Sequence, residues 1–80
     1  MPELEAVFLA ASQSEADRAE RAMRERQIAF EVRPEATMRA SDGTACLQGL
    51  LFGVSRGVAR ECRELLEREG LRDGVVEGEW

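Results

Sequence analysis

The chain has 80 residues, a formal net charge of −5, two cysteines and no histidine. This length gives one domain over residues 1–80, and the residue set supplies neither a common zinc site nor a Ser-His or Cys-His catalytic pair. Because the chain is acidic, we expect that it does not bind nucleic acid. Because no apolar run approaches the ~20 residues of a membrane span, we expect a cytoplasmic protein that does not bind membranes. The missing histidine leads us to expect no metal, no cofactor and no enzymatic activity.

The first third of the chain predicts a buried strand followed by a helix. Residues 4–11 form a short apolar run that is typical of a central strand. Ser12 with Glu15, or Ser14 with Asp17, has the spacing of a capping box that starts a helix. Within residues 15–27 the apolar side chains recur at helical spacing, at Ala16, Ala19, Ala22 and Met23.

A second strand and a long loop come next. Ile28, Phe30 and Val32 alternate with polar residues, which predicts a half-exposed strand that Pro34 ends. Residues 35–45 are polar, lack periodicity and contain an Asp-Gly turn signal. We therefore expect a loop over residues 35–45, longer than a hairpin needs and suited to a functional role.

The last third predicts strand, helix and strand. Residues 46–54 are apolar on both faces, as in a second central strand, and Ser55 is a plausible helix N-cap. Gly70 is placed to end the helix, and a turn at Asp73 and Gly74 leads into a short edge strand. The helix itself is indicated by apolar residues at Val58, Ala59, Cys62, Leu65 and Leu66.

This order of elements predicts an α+β domain of the ferredoxin-like βαββαβ type, with a four-stranded antiparallel sheet and two helices on one face. The central strands carry apolar residues on both faces, with Phe8 and Ala10 opposite Val7 and Leu9, and Leu50 and Phe52 opposite Leu47 and Leu51. One of the two sets is expected to stay exposed on a single chain, unless the twist of these short strands hides most of it. Exposed apolar patches mark interfaces, and this favours a homo-oligomer, most simply a homodimer, that associates through the open sheet face.

Cys46 is the residue whose predicted position suggests chemistry. The start of the third strand and the start of the first helix should lie at the same end of the sheet, which would put Cys46 near Ser12 and Ser14. A helix N-terminus stabilises a thiolate, and Arg39 of the preceding loop would add positive charge. The alternative is that Cys46 only packs as a small apolar residue, as we expect for Cys62 on the apolar stripe of its helix.

Three features together resemble the selenium/sulfur carrier-like protein family. They are the segment VFLAASQSEADRAERAMRERQIAFEVRP, a loop leading to Cys46, and the ending LLEREGLRDGVVEGEW. In that family the cysteine begins the third strand and is followed directly by glycine, whereas here Leu47 follows and the glycine is Gly49. The resemblance implies that Cys46 carries a persulfide, or its selenium equivalent, to and from a sulfur-transfer partner protein.

The competing hypothesis is a non-catalytic ligand-sensing or protein-interaction module. Such a module would use the open sheet face and the 35–45 loop. Gly49, Gly53 and Gly57 would allow a ligand to approach the backbone closely, although single glycines in strands more often mark bulges or tight packing. The two hypotheses differ in whether the protein needs an accessible thiolate at neutral pH.

Overall fold

The computed structural model describes the backbone of residues 3–39 and 45–80, and the side chains of residues 3–34 and 49–80. It contains a four-stranded antiparallel sheet in the order β2-β3-β1-β4, with two α-helices. This is the predicted α+β, ferredoxin-like arrangement, and β1 and β3 are central as expected. The elements are β1 (Leu4–Ala10), α1 (Gln13–Glu25), β2 (Phe30–Arg39), β3 (Ala45–Ser55), α2 (Ala59–Arg68) and β4 (Val75–Glu79), with 3₁₀ turns at Arg56–Val58 and Arg72–Gly74.

Helix α1 begins at the first of the two predicted caps. Ser12 has an extended backbone, and its hydroxyl accepts a hydrogen bond from the backbone N–H of Glu15 at 3.2 Å. The same hydroxyl donates a hydrogen bond to Oε2 of Glu15 at 3.5 Å. Ser14 is therefore the second residue of the helix and not its cap.

Helix α2 begins and ends differently. Ser55 precedes the 3₁₀ turn and makes no side-chain capping bond, so the predicted cap is not formed. At the other end Gly70 adopts φ +80° and terminates the helix as predicted. The N–H groups of Gly70 and Leu71 bond to the carbonyls of Glu67 and Leu66, at 3.1 and 3.0 Å, in a Schellman motif that returns the buried Leu71 to the core.

The core lies between the helices and one face of the sheet. Phe8 of β1 and Phe52 of β3 are fully buried and meet edge to face, with ring centroids 6.0 Å apart. Small side chains on α1, such as Ala16 and Ala19, let that helix lie close to the strands. The other members of the buried cluster are Val7, Ala10, Met23, Val54, Ala59, Cys62, Leu66 and Leu71.

Strand β2 corrects two predictions. Pro34 does not end the strand, and residues 35–39 continue it, so the predicted loop is wrong over its first part; residues 40–44 lie outside the described residues. β2 is an edge strand, and its register with β3 shifts between Pro34 and Thr37. A proline is tolerated at an edge or a bulge because its missing N–H removes no necessary ladder bond there.

The open face of the sheet is covered in part by this chain itself. Gly53 alternates with the core residues Phe52 and Val54, so its Cα hydrogen points to the open face, and the Trp80 indole packs against it. The Arg33 guanidinium lies 4.8 Å from the centre of a Trp80 ring, a cation–π contact. The side chain that covers this part of the open face therefore comes from Trp80, the residue that follows β4.

This packing changes the basis for expecting a homo-oligomer. Val7 joins the helix-side core because a β-bulge between Ala6 and Phe8 makes it an extra residue in β1. Leu51 is only 7% exposed and Leu9 is half-buried. Among the residues whose side chains are described, Val32 on edge strand β2 is the one exposed large apolar side chain. The exposed apolar set expected of a single chain is thus largely buried among the described side chains, and self-association stays a prediction.

Candidate functional site

A hollow lies at the end of the sheet where β1 leads into α1. β4 begins at Val75, which pairs with Phe8, so Leu9 and Ala10 extend beyond the start of β4. On that side the strand is flanked by the 3₁₀ turn Arg72–Gly74 and by the first turn of α1. The hollow forms where the β1–β4 pairing stops before β1 does.

The hollow has a volume of about 270 Å³ and a mainly apolar lining. Two glycines in its lining are packed tightly against neighbouring atoms. A Cβ at Gly49 would lie 2.8 Å from Cδ1 of Leu9, and one at Gly74 would lie 2.8 Å from both the Leu9 carbonyl oxygen and Cζ of Phe8. Its lining consists of Leu9, Ala10, Ala11, Glu15, Gly49, Asp73, Gly74 and Val76.

Among the side chains that the structure describes, the charged groups that line the hollow are Glu15 and Asp73, both acidic. Glu15 is half-buried in the first turn of α1, and Asp73 is exposed in the 3₁₀ turn. Arg18 lines a neighbouring groove together with Glu15 and Asp73. Arg18 is engaged elsewhere, because its Nη2 donates to the carbonyl oxygen of Glu69 at the end of α2, at 2.5 Å.

The predicted site residues separate into two groups. Ser12 and Ser14 lie together at the start of α1, beside the hollow residues Ala11 and Glu15. Arg39 is the last residue of β2, where its backbone pairs with Ala45. The side chain of Arg39 lies outside the described residues, and its proposed role stays a prediction.

Cys46 is described through its backbone alone, since its side chain also lies outside the described residues. It is the second residue of β3, four residues before Leu50, which pairs with Ala10 at the end of β1. At ~3.3 Å per residue this is about 13 Å of strand. In this part of β3 the described pairing is with β2. The predicted proximity of Cys46 to Ser12 and Ser14 is therefore untested.

Cys62 is the inert thiol that its spacing predicts. It is fully buried in the core, and burial raises the pKa of its thiol from 9.0 to about 11, with a smaller lowering by Arg63 and a smaller raising by Glu61. A thiol held protonated in this way is neither a nucleophile nor a metal ligand near neutral pH. Cys62 contributes to packing and not to a site.

A larger depression, of about 450 Å³, lies on the outer face of α1, but its chemistry is that of a solvated helix surface. It is lined by charged side chains, and two of them, Glu20 and Arg24, pair with each other at 2.5 Å. Pairs of this type at i and i+4 are common on exposed helices. We therefore take the smaller, apolar hollow as the candidate site.

Sequence reasoning missed most of this hollow. Leu9, Ala11 and Val76 are ordinary apolar residues that carry no chemical signal, and their gathering depends on where β4 starts. The available signals were Gly49, which the sequence marks as a place of close approach, and the capping residue Glu15. Gly53 packs against Trp80, while Gly57 has open space around it, so of the three marked glycines Gly49 alone lines this hollow.

No protein-family model matches the chain, and no curated protein matches it. Within the described parts of the chain, no group of three His, Cys, Asp or Glu side chains is arranged to hold a metal ion. Neither α-helix in residues 3–39 and 45–80 has both the length and the apolar character needed to span a bilayer.

Proposed function

We propose that this chain is a non-catalytic binding domain that holds a small ligand in the hollow at the end of β1. The observation that supports the proposal is the hollow itself, with its apolar floor and two carboxylates at its rim. Ligand sites in small domains combine an apolar lining with a few polar groups that orient the ligand. At about 30 Å³ per water-sized unit, the volume suits a ligand of about nine non-hydrogen atoms.

A fragment screen followed by backbone-amide NMR tests this proposal. Compounds of up to about nine non-hydrogen atoms are added to the ¹⁵N-labelled protein, and the shifts of the Ala11, Gly49 and Gly74 amides are followed. We expect hits whose shift changes cluster at these three positions. Hits that cluster elsewhere, or a screen in which these amides never move, would contradict the proposal.

A matched pair of variants makes the result specific. Ala11→Leu places a larger side chain on the wall of the hollow, and Ala11 is exposed, so the core is not disturbed. Gly57→Leu adds the same side chain at an exposed position where nothing lies within 4 Å of the added Cβ. Binding should weaken at least tenfold in Ala11→Leu and be unchanged in Gly57→Leu. Equal binding by both variants counts against the hollow.

The second candidate function is a thiol carrier that acts through Cys46 in the cytoplasm, with a sulfur-transfer partner protein. It is supported by the position of Cys46 in the part of β3 that extends beyond the last β1 pair, Ala10 with Leu50. A carrier thiol must be reached by partner enzymes, and a strand flanked by one neighbour is more accessible than a central one. In this candidate the thiolate of Cys46 is the nucleophile.

Iodoacetamide labelling against pH, read by peptide mass spectrometry, separates the two candidates. A carrier requires rapid labelling of Cys46 with an apparent pKa below the ~8.5 of a free thiol, while Cys62 stays unlabelled until the protein unfolds. If Cys46 is as slow as Cys62 in the native protein, the carrier function is excluded. The ligand-binding proposal does not depend on this outcome.

A further inference from the structure

We infer that the ligand of the hollow carries a protonated amine on a small apolar body. This inference rests on the proposed function and adds the chemical class of the ligand. It follows from how the acceptors and the apolar surface are arranged around one space.

The apolar body is defined by the floor of the hollow. Leu9 and Val76 present aliphatic surface, and Gly49 adds none of its own, so the floor offers contact area without polar partners. A charged head group could not be held against this surface without losing its hydration. The apolar part of a ligand must therefore lie on the floor and its charged part at the rim.

The rim supplies negative charge. Glu15 comes from α1 and Asp73 from the 3₁₀ turn, and both line the hollow and the groove beside it. They consequently stand at the boundary between the two spaces. A cation at this boundary meets both carboxylates, whereas an anion would meet two like charges.

The hydrogen-bonding capacity agrees with the charge. Besides the two carboxylates, the carbonyl oxygen of Leu9 lies close to Gly74. An ammonium group has three donors and no acceptor, which matches a rim of acceptors. Among the described side chains, two groups compete for Glu15: the Ser12 hydroxyl, 3.5 Å from Oε2, and Arg18 in the groove, whose Nη2 already donates to Glu69.

Three probes that share one apolar body test the inference: benzylamine, benzyl alcohol and benzoate. Each is titrated into the ¹⁵N-labelled protein at neutral pH, and its dissociation constant is taken from the Ala11, Gly49 and Gly74 amide shifts. We expect benzylamine to bind about two- to fivefold more tightly than benzyl alcohol, and benzoate to bind most weakly, because an exposed ion pair contributes about this much.

A charge-neutral variant assigns the preference to the two carboxylates. Glu15→Gln with Asp73→Asn keeps both shapes, and glutamine is acceptable at this position of a capping box. Benzyl alcohol should bind this variant as it binds the wild type, which reports an intact hollow, while benzylamine loses its advantage. Glu25→Gln with Glu67→Gln removes the same charge from exposed positions on the two helices and should keep the preference.

The possible failures are distinct. If benzyl alcohol binds as tightly as benzylamine, or if the amine preference survives in the charge-neutral variant, the amine inference is overturned while the hollow stays a binding site. If none of the three probes moves the three amides, the proposed function itself fails. Tightest binding by benzoate would overturn the inference and show that a positive group controls the rim.

Discussion

The indole of Trp80 lies so close to Gly53 that a methyl group at Gly53 could not fit beneath it. A Cβ there would lie 2.7 Å from Cδ2 and 2.8 Å from Cζ3 of the ring. The glycine is therefore required by the ring above it, and the ring in turn covers the middle of the open sheet face. Ala6, which pairs with Gly53, is only 4% exposed.

We predict that Gly53→Ala lowers the free energy of unfolding by about 1–3 kcal/mol, the usual cost of overpacking. Trp80 is the only tryptophan, so its emission should shift to the red as the ring is displaced. Urea denaturation and fluorescence measure both effects. Gly57→Ala is the control, because nothing lies within 4 Å of its added Cβ.

A double variant distinguishes a clash from an unfavourable backbone change. When Trp80→Ala is combined with Gly53→Ala, the combined loss should be smaller than the sum of the two single losses, since the clash no longer exists. Strictly additive losses would mean that the cost at Gly53 has nothing to do with the indole.

The sequence predicted the architecture because the helices and central strands have strong periodicity. The stripe at Ala16, Ala19 and Met23 and the apolar run that contains Phe52 place the core directly, and Ser12 and Gly70 mark helix ends by their own backbone chemistry. These signals are local. Each depends on residues a few positions apart, and tertiary contacts reinforce them.

The failures concern relationships between distant parts of the chain. Proline breaks a central strand but is tolerated in an edge strand such as β2. The sequence around Pro34 does not show which of the two β2 is, because strand order depends on distant parts of the chain. Val7 does not follow the alternation of strand faces, because a β-bulge in β1 opposite Phe52 turns it into the core. The candidate hollow escapes detection for the same reason, because Leu9 and Val76 acquire a shared role only after β4 pairs with β1.

Arg63 provides a second test of the sheet. It is 13% exposed, and it donates to the carbonyl oxygens of Ala6 and Val76, each at 2.8 Å, while Nη2 lies 3.4 Å from Glu5. The ladder shifts register between Ala6 and Phe8, so this side chain from α2 joins β1 to β4 where the regular bonds are interrupted.

We predict that Arg63→Met destabilises the protein by about 2–4 kcal/mol, because two part-buried carbonyls lose a charged donor. Arg60→Met is the matched control on the same helix. Arg60 is 93% exposed and its Glu64 partner is 3.7 Å away, so its loss should cost less than about 0.5 kcal/mol. Chemical denaturation compares them, and similar costs for both variants would contradict the role assigned to Arg63.

Because of Cys62, the free energy of unfolding should depend on pH in the alkaline range. Its thiol has a pKa of about 11 in the folded protein against 9.0 for the unperturbed group. Below pH 9 the thiol is protonated in both states. Above pH 9 the unfolded chain releases its proton first, so stability should fall by about 2–3 kcal/mol as the pH rises from 9 to 11.

Because the chain contains no tyrosine, lysine or histidine, Cys46 is the other side chain that titrates in this range, and the comparison is made in a Cys46→Ala background. Cys62→Ala should lose the decline between pH 9 and 11 while carrying a pH-independent packing cost. Urea unfolding at several pH values measures the slope. If the alanine variant declines as steeply as the wild type, the buried thiol is not the responsible group.

The ends of the two helices offer a last comparison, because they use the same motif with different residues. At the end of α1 the N–H groups of Gln27 and Ile28 bond to the carbonyls of Arg24 and Met23, at 3.0 and 2.9 Å. This Schellman motif requires a left-handed residue, and Gln27 supplies it at φ +58°. At the end of α2 the equivalent position is Gly70.

A residue with a Cβ is strained in this conformation, by roughly 1 kcal/mol relative to glycine. We therefore predict that Gln27→Gly stabilises the protein by about 0.5–1 kcal/mol, and that Gly70→Ala destabilises it by about 1 kcal/mol. The Gln27 side chain is exposed, so its removal costs no packing, and a Cβ at Gly70 meets only Nη2 of Arg18 at an ordinary 3.5 Å. In both thermal and urea unfolding, the midpoint should rise for Gln27→Gly and fall for Gly70→Ala. If both midpoints shift in the same direction, side-chain contacts and not backbone conformation determine the stability of these helix ends.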